Sequence, residues 1–188
     1  KIIFFFLIII LNNSIKANQD IGLLKNEIEK YLSEINDFSS SFIQYSDNSF
    51  QEGNFFLKKN RLRVEYTSPS NIILIIKENK AMYYNVDLEE VEYFNPKKTA
   101  ASIFFNFFYN KEFLNDANIE LKKNNLYIFQ KILINKKENT VTALFEKSPI
   151  KLRKIEIKNF EGLTSFTIIN PNYNPNLDDK MFSLAHPL

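Results

Sequence analysis

Residues 53–69, Gly53-Asn54-Phe55-Phe56-Leu57-Lys58-Lys59-Asn60-Arg61-Leu62-Arg63-Val64-Glu65-Tyr66-Thr67-Ser68-Pro69, hold two patterns of period two. Gly53, Phe55 and Leu57 alternate with Asn54 and Lys58, with Phe56 out of step. Leu62, Val64 and Tyr66 alternate with Arg61, Arg63 and Glu65, and Pro69 ends the run. Successive strand side chains point to opposite faces, so the second run is a strand with one apolar and one charged face. Proline lacks the N–H that a ladder needs, which makes Pro69 a stop.

The same period extends outward. Phe38, Ser40, Phe42 and Gln44 share one side of an earlier strand, followed by a turn at Ser46-Asp47-Asn48-Ser49. Further strands are predicted at Ile72–Ile76, Ala81–Val86 and Glu90–Phe94, with a tight hairpin at Glu78-Asn79 and a stop at Pro96. The C-terminal half repeats the style at Asn125–Ile134, Thr140–Glu146, Leu152–Lys158 and Leu163–Ile169, and Met181–Leu188 reads as a last edge strand. Short strands joined by turns predict one antiparallel sheet rather than parallel βαβ units. Two segments depart from that period. Ile21, Leu24, Ile28, Tyr31, Leu32 and Ile35 form one stripe of an amphipathic helix. Thr99–Tyr109 (TAASIFFNFFY) predicts a second helix, capped by Thr99, whose Phe side chains cover nearly its whole circumference. Such a helix must be buried on more than one side. Lys111–Asp116 adds a short turn.

Composition removes several function classes. The chain has 188 residues, 45% hydrophobic, with 19 Phe and 9 Tyr, too rich in core material for a disordered protein. It has no Cys and 1 His, so neither a thiolate nor a His-cluster metal site can be built, and no cofactor is expected. A Ser-His-Asp triad would have to use His186, at the very end. The adjacent pairs Glu89-Glu90 and Asp178-Asp179 face opposite sides of a strand or solvent. With 3 Gly there is no phosphate loop. Catalysis is therefore not expected.

Ile2–Leu11 are consecutive apolar residues after Lys1, about half the roughly 20 that span a bilayer as a helix. With Asn12-Asn13-Ser14-Ile15-Lys16-Ala17 behind them, they have the layout of a cleaved secretory signal peptide, residues 1–17, ahead of one domain at 18–188. The 24 Lys and Arg less the two in that leader equal the 22 Asp and Glu, so no basic excess points to nucleic acid. An outer-membrane β-barrel is disfavoured, because Arg61, Arg63 and Glu65 on one strand face would put charge into lipid. What remains is apolar surface. Either helices and sheet form a closed core, or a curved sheet with a helical lid encloses a cavity for hydrophobic ligands.

The order of elements resembles the LolA family of periplasmic lipoprotein carriers. The family's early strands carry F-x-Q, G-x-f-x-l and R-[FW]-x-Y-x-x-P, matched here by Phe42-Ile43-Gln44, by Gly53 to Leu57 and by Arg61 to Pro69. The likeness continues through the Ala81–Asn85 hairpin and the Thr99–Phe105 lid segment. It ends at Phe182-Ser183-Leu184 and Pro187, against the family's F-x-[FL]-x-x-P. The resemblance implies a mainly β (α+β) fold, an open, incomplete antiparallel β-barrel covered by the N-terminal helix and the Phe-rich lid. It implies an exported periplasmic monomer that holds lipoprotein acyl chains and shuttles them from the inner to the outer membrane. Its partners would be an inner-membrane release ABC complex of the LolCDE type and an outer-membrane acceptor of the LolB type. An envelope lipid- or glycolipid-binding or sensing protein of the same half-barrel architecture is the alternative.

On that resemblance Phe55, Leu57, Leu62, Val64, Tyr66, Ala101, Ile103 and Phe104 would line the cavity, leaving Arg63 and Glu65 on the wet convex side. The family's lid is tethered by an arginine of an Arg-Pro pair where Lys58-Lys59 stands here, and its Thr-Pro is Thr99-Ala100. Lys58, Arg61 and Arg63 are the candidate latch residues. A lysine cannot supply the planar fork of a guanidinium. Burying acyl chains gains about 0.8 kcal/mol per CH₂, so three fully buried chains would pass the roughly 18–21 kcal/mol ceiling of non-covalent affinity. A shuttle therefore needs a lid that competes with the cargo for the pocket.

Overall fold

The computed structural model describes residues 21–185 apart from 47, 100 and 135, so the expected leader and His186 lie outside the described residues. Residues 21–34 are helical, α1, and the stripe expected to be apolar is buried at Leu24, Ile28, Leu32 and Ile35. Ion pairs Lys25–Glu29 and Lys30–Glu34 lie on its wet side.

The strands are β1 (Asp37–Ser46), β2 (Ser49–Lys58), β3 (Arg61–Ser68), β4 (Ile72–Lys77), β5 (Lys80–Asn85), β6 (Glu90–Phe94), β7 (Asn118–Lys122), β8 (Asn125–Ile134), β9 (Lys137–Lys147), β10 (Ile150–Lys158) and β11 (Leu163–Asn172). They form one antiparallel sheet in the order β6-β5-β4-β3-β2-β1-β11-β10-β9-β8-β7. Two meanders, β1 to β6 and β7 to β11, are thus sewn together where β1 pairs with β11. The outer edges, β6 and β7, do not pair with each other, so the barrel stays open. Helix α2 (Ala101–Tyr109), with 3₁₀ turns at Pro96–Lys98 and Lys111–Leu114, carries the chain from one edge to the other across the apolar face.

The sheet must curl. In a flat sheet Leu74 on β4 and Ile157 on β10 would be five strand spacings, about 24 Å, apart, yet both line one cavity of about 260 Å³. The concave face holds the main core, to which α2 contributes Ile103, Phe104, Phe107 and Phe108, all buried, while Asn106 alone of its middle turn is exposed. The Phe104 ring stands edge-on to Phe55 at 5.5 Å and to Phe166 at 5.4 Å, and Phe107 edge-on to Phe113 at 5.6 Å. These are favoured geometries for aromatic pairs. The helix is buried on more than one side, as its all-round apolar sequence requires.

Two features differ from the sequence reading. Asn118–Lys122 is an edge strand, β7, although it is short and polar. The described part of the expected last strand, residues 181–185, is not a strand: Asp179–Phe182 is a 3₁₀ turn, and the segment crosses the convex face over β3 and β4. There Leu184 packs on a second small apolar cluster of Ile75, Met82 and Tyr84. The convex side is therefore not uniformly wet, because β4 is apolar on both faces and its outer one needs a cover.

At Gly53 two strands approach closely. A Cβ there would stand 2.1 Å from the Glu65 carbonyl oxygen, where β2 and β3 slip register. Gly53→Ala is expected to lower stability by about 1–3 kcal/mol, which in a chain of this size is a fall in Tm of several degrees, about 2–4 °C per kcal/mol. A thermal melt checks it, and an unchanged Tm would refute the close approach.

Candidate functional site

The cavity of about 260 Å³ is lined by β1 (Phe42, Gln44), β2 (Phe55), β3 (Leu62, Val64, Tyr66), β4 (Leu74), α2 (Phe104), β10 (Ile157) with Asn159 beyond it, and β11 (Thr164, Phe166). Its floor is apolar because the inward positions of these strands are apolar: Phe55 and Leu57, then Leu62 and Val64, alternate with outward polar residues. Its polar groups gather at one end. The Tyr66 hydroxyl donates to Gln44 Oε1 at 2.9 Å, and Gln44 Nε2 donates to Gln51 Oε1 at 2.9 Å. Asn159 Oδ1 accepts from the Gly162 amide at 3.1 Å, and Thr164 Oγ1 donates to Ser46 Oγ at 3.4 Å. All four sit where β1 ends and β11 begins, so the pocket has a greasy interior and a polar mouth.

Of the residues expected to line a cavity, Phe55, Leu62, Val64, Tyr66 and Phe104 do so. Leu57 and Ile103 are fully buried in the core instead, with no exposed surface. The side chain of Ala101 lies outside what is described. Phe42, Gln44, Leu74, Ile157, Asn159, Thr164 and Phe166 were missed. Phe42 and Gln44 carry a signal, since both lie on the inward phase of β1. The β10 and β11 residues carry none, because only the β1–β11 pairing brings them to β3.

Lys58, Arg61 and Arg63 meet the C-terminal segment rather than α2. Lys58 Nζ donates to the Leu177 carbonyl and lies 3.2 Å from Asp179, Arg61 Nη1 lies 3.3 Å from Asp179, and Arg63 Nη1 donates to the Met181 carbonyl at 2.8 Å. The Lys58 hydrogen bond and charge, with Arg61 and Lys59 behind them, hold the Asp179 carboxyl below the ordinary carboxylate value. These side chains are the outward phase of β2 and β3, so they reach the convex face, and the sheet separates them from the lid. The backbone carbonyl of Arg61 does accept from the Tyr109 hydroxyl of α2 at 3.5 Å.

A second cavity, about 620 Å³, lies on the other side of α2, between α1 and the β2–β3 turn. Its floor is Leu32, Ile35, Phe107, Phe108 and Leu114, and its rim includes Glu29, Lys30, Lys59 and Asn110. The rings of Phe104 and Phe108, centroids 5.4 Å apart, separate the two spaces.

The one titratable group in the lining of the first cavity is Tyr66. Burial, then the charge of Tyr83, pushes its hydroxyl up to about 12 from 10.0. The cavity wall is therefore uncharged across the physiological range. It is suited to an apolar chain. Among the described residues there is no group of three or more His, Cys, Asp and Glu placed to hold a metal ion, and no helix long and apolar enough to cross a membrane.

A raised folded-state value means that neutral Tyr66 stabilises the fold fully below the unfolded value and that this contribution is lost as pH rises through the folded one. Urea unfolding of the native chain is expected to show constant support from Tyr66 up to about pH 10 and a loss from there towards pH 12. Tyr66→Phe is expected to show a smaller loss over that window, Tyr31 and Tyr109 still contributing, since burial raises both. Identical alkaline slopes would mean that Tyr66 is not buried.

The model of the family "Outer membrane lipoprotein carrier protein LolA" matches residues 33–185. No curated protein shows a significant sequence match to the chain. Among solved structures, an uncharacterized conserved protein of Thermus thermophilus superposes with a TM-score of 0.56 at 7% identity, over 87% of this chain and 93% of that one, which shows a shared fold. A chain of the Pseudomonas aeruginosa MucA/MucB complex (TM-score 0.49, 9% identity, 85% of this chain and 60% of that one) is less similar. So is the lipoprotein LppX of Mycobacterium tuberculosis (0.46, 12% identity, 84% and 99%). The match over most of its length, on an open antiparallel sheet whose helix-covered face encloses an apolar cavity, places this chain in the outer membrane lipoprotein carrier protein LolA family.

Proposed function

We propose that this protein is a periplasmic carrier that takes the acyl chains of lipoproteins into the space under α2 and shuttles them from the inner to the outer membrane, without catalysis. The observation that supports this most is the uncharged apolar cavity whose wall is in part the lid helix itself, through Phe104. Release complex and outer-membrane acceptor are the expected partners, and the working form is a monomer.

Size makes the lid a participant. A cavity of about 260 Å³ is less than twice the roughly 150 Å³ that holds one benzene, far too small for several acyl chains. Cargo can enter only if Phe104 and Phe108 leave, and their departure joins the two cavities that they separate. Those rings bury apolar surface in the empty protein that the cargo would otherwise bury. The net affinity is then a difference between two large terms, which allows both loading and release. The alternative, an envelope lipid- or glycolipid-binding protein, is favoured by the cavity as it stands, whose volume and polar mouth suit one chain and a headgroup.

Val64 separates these readings from a closed core. Val64→Glu would set a carboxylate against bound acyl chains, an unpaired charge costing several kcal/mol in the loaded state, while cavity water can reach it in the empty protein. The variant is expected to fold and to fail in extracting lipoprotein from inner-membrane vesicles in a release assay. A variant that unfolds outright would support the closed core. One that is folded and fully active would overturn the assignment of Val64 to the cargo site, and wild-type protein that binds lipids but never extracts lipoprotein would favour the alternative.

Residues 1–17 are proposed to be removed on export. The intact mass of the protein recovered from the periplasm should correspond to a chain beginning at Asn18. Retention of Ile2–Leu11 would argue for a tethered protein and against a shuttle.

A further inference from the structure

The two ends of the sheet are made differently. At one end lie the β2–β3, β4–β5, β7–β8 and β9–β10 turns, Lys58-Lys59-Asn60-Arg61, Lys77-Glu78-Asn79-Lys80, Lys122-Lys123-Asn124-Asn125 and Lys147-Ser148-Pro149-Ile150. They are basic and polar, and the large side chains exposed near them are Leu121 and two tyrosines with polar tips, Tyr93 near the end of β6 and Tyr173 just past β11. The opposite end holds the β1–β2, β3–β4, β5–β6, β8–β9 and β10–β11 connections, and four of these five carry a large apolar residue in water. Phe50 is 65% exposed, Leu88 63%, Leu133 74%, Phe160 67% and Leu163 44%. Exposed side chains of this size cost solubility, and each sits beyond its hairpin's last rung or within one rung of it, Phe50 with its ring 4.9 Å from that of Tyr45.

The polar mouth of the cavity is at this same end. Gln44 is two residues from the tip of β1, Asn159 adjoins Phe160, and Thr164 adjoins Leu163 and pairs across to Ser46. We infer that this rim of hairpin tips is a membrane-docking surface, with Phe50, Phe160 and Leu163 as its central anchors, which seats the cavity mouth against the acyl region of a phospholipid bilayer.

The chemistry of the rim favours a bilayer over a protein socket. Its apolar side chains are spread over four turns, only Phe160 and Leu163 sharing one, and are interleaved with Asp87, Glu89, Lys136, Glu138, Lys158 and Glu161. The centre of a protein interface is depleted of Lys, Glu and Asp. A fluid interface accepts separated apolar anchors and leaves the charges between them in the headgroup layer. Lys137 shows the arrangement in miniature, with Nζ held 3.9 Å from the centroid of the Phe160 ring. The ring can enter the acyl boundary while the ammonium stays with the phosphates, as lysines do at membrane surfaces. A docked rim would also let a chain pass between bilayer and cavity without crossing water. That purpose rests on the carrier reading, but the docking itself does not.

The test uses the chain expressed with its own leader and purified as the cells release it. Flotation with vesicles of phosphatidylethanolamine and phosphatidylglycerol is expected to carry the wild type upward. Phe50→Ser, Phe160→Ser and Leu163→Ser should each weaken the partition by about tenfold, with thermal melts unchanged because the three sites are exposed. The chain has no Trp, so Phe160→Trp reports from the rim alone: its emission should shift to the blue on adding vesicles, while that of Asn79→Trp at the other end should not. Absence of flotation by the wild type would overturn the inference. So would a shift at Asn79→Trp in place of Phe160→Trp, which would make the basic end the docking surface. So too would loss of self-association, rather than of flotation, in the rim variants, which would make the rim a protein contact. Uptake of a fluorescent fatty acid without vesicles reads the cavity separately. Uptake without flotation removes the rim and leaves the carrier, and flotation without uptake does the reverse.

Discussion

The pairing of β1 with β11 is the interaction on which the rest of this structure depends. Each strand belongs to a meander that could be hydrogen-bonded locally, but neither meander alone has a partner for its innermost strand. Joined, they set Phe42 opposite Ile168 and Gln44 opposite Phe166, and the sheet becomes wide enough to curl. A curled sheet has a concave face whose inward residues are too many for one helix to cover. The long crossover between the outer edges supplies the second cover, α2, because the chain has to cross that face to reach β7.

That arrangement explains why α2 is apolar nearly all round. One flank meets the sheet at β2 and β11, through Phe104 against Phe55 and Phe166, and the other meets β9 and the following turn, through Phe107 against Phe145 and Phe113. A helix serving only as a surface cover would need one stripe. The packing of rings against rings, with cavities on both sides, is looser than an interdigitated aliphatic core, where few voids larger than a water molecule occur.

The convex face is held by a different kind of contact. Lys58, Arg61 and Arg63 fix the C-terminal segment through carbonyls and through Asp179, whose side chain is 63% exposed. Exposed ion pairs contribute about 0–1 kcal/mol each, so the buried Phe182 and Leu177 anchor the segment and the basic row orients it. The three residues stand where the resemblance placed a lid latch, but strand phase turns them away from the lid. A motif can give the residue type and its position along a strand, whereas the face is set by alternation from the nearest buried neighbour.

The alternation of Leu62, Val64 and Tyr66 with charged residues, and the stripe of α1, determined which residues are inward, because period is a local property of chain geometry. The all-round Phe pattern likewise determined that α2 is enclosed. Edge strand β7 and the C-terminal 3₁₀ segment were not legible, since Asn118–Lys122 is short and half charged, and Phe182-Ser183-Leu184 alternates as a strand would. Which inward residues line a void and which fill the core was decided by tertiary structure alone. Leu57 and Leu62 share one inward phase and both are buried, yet one is packed shut and the other borders the cavity. The difference is made by the curl of the sheet and the position of Phe104 above it. Both are set by β1 meeting β11 at more than a hundred residues' separation, a contact that no local pattern encodes.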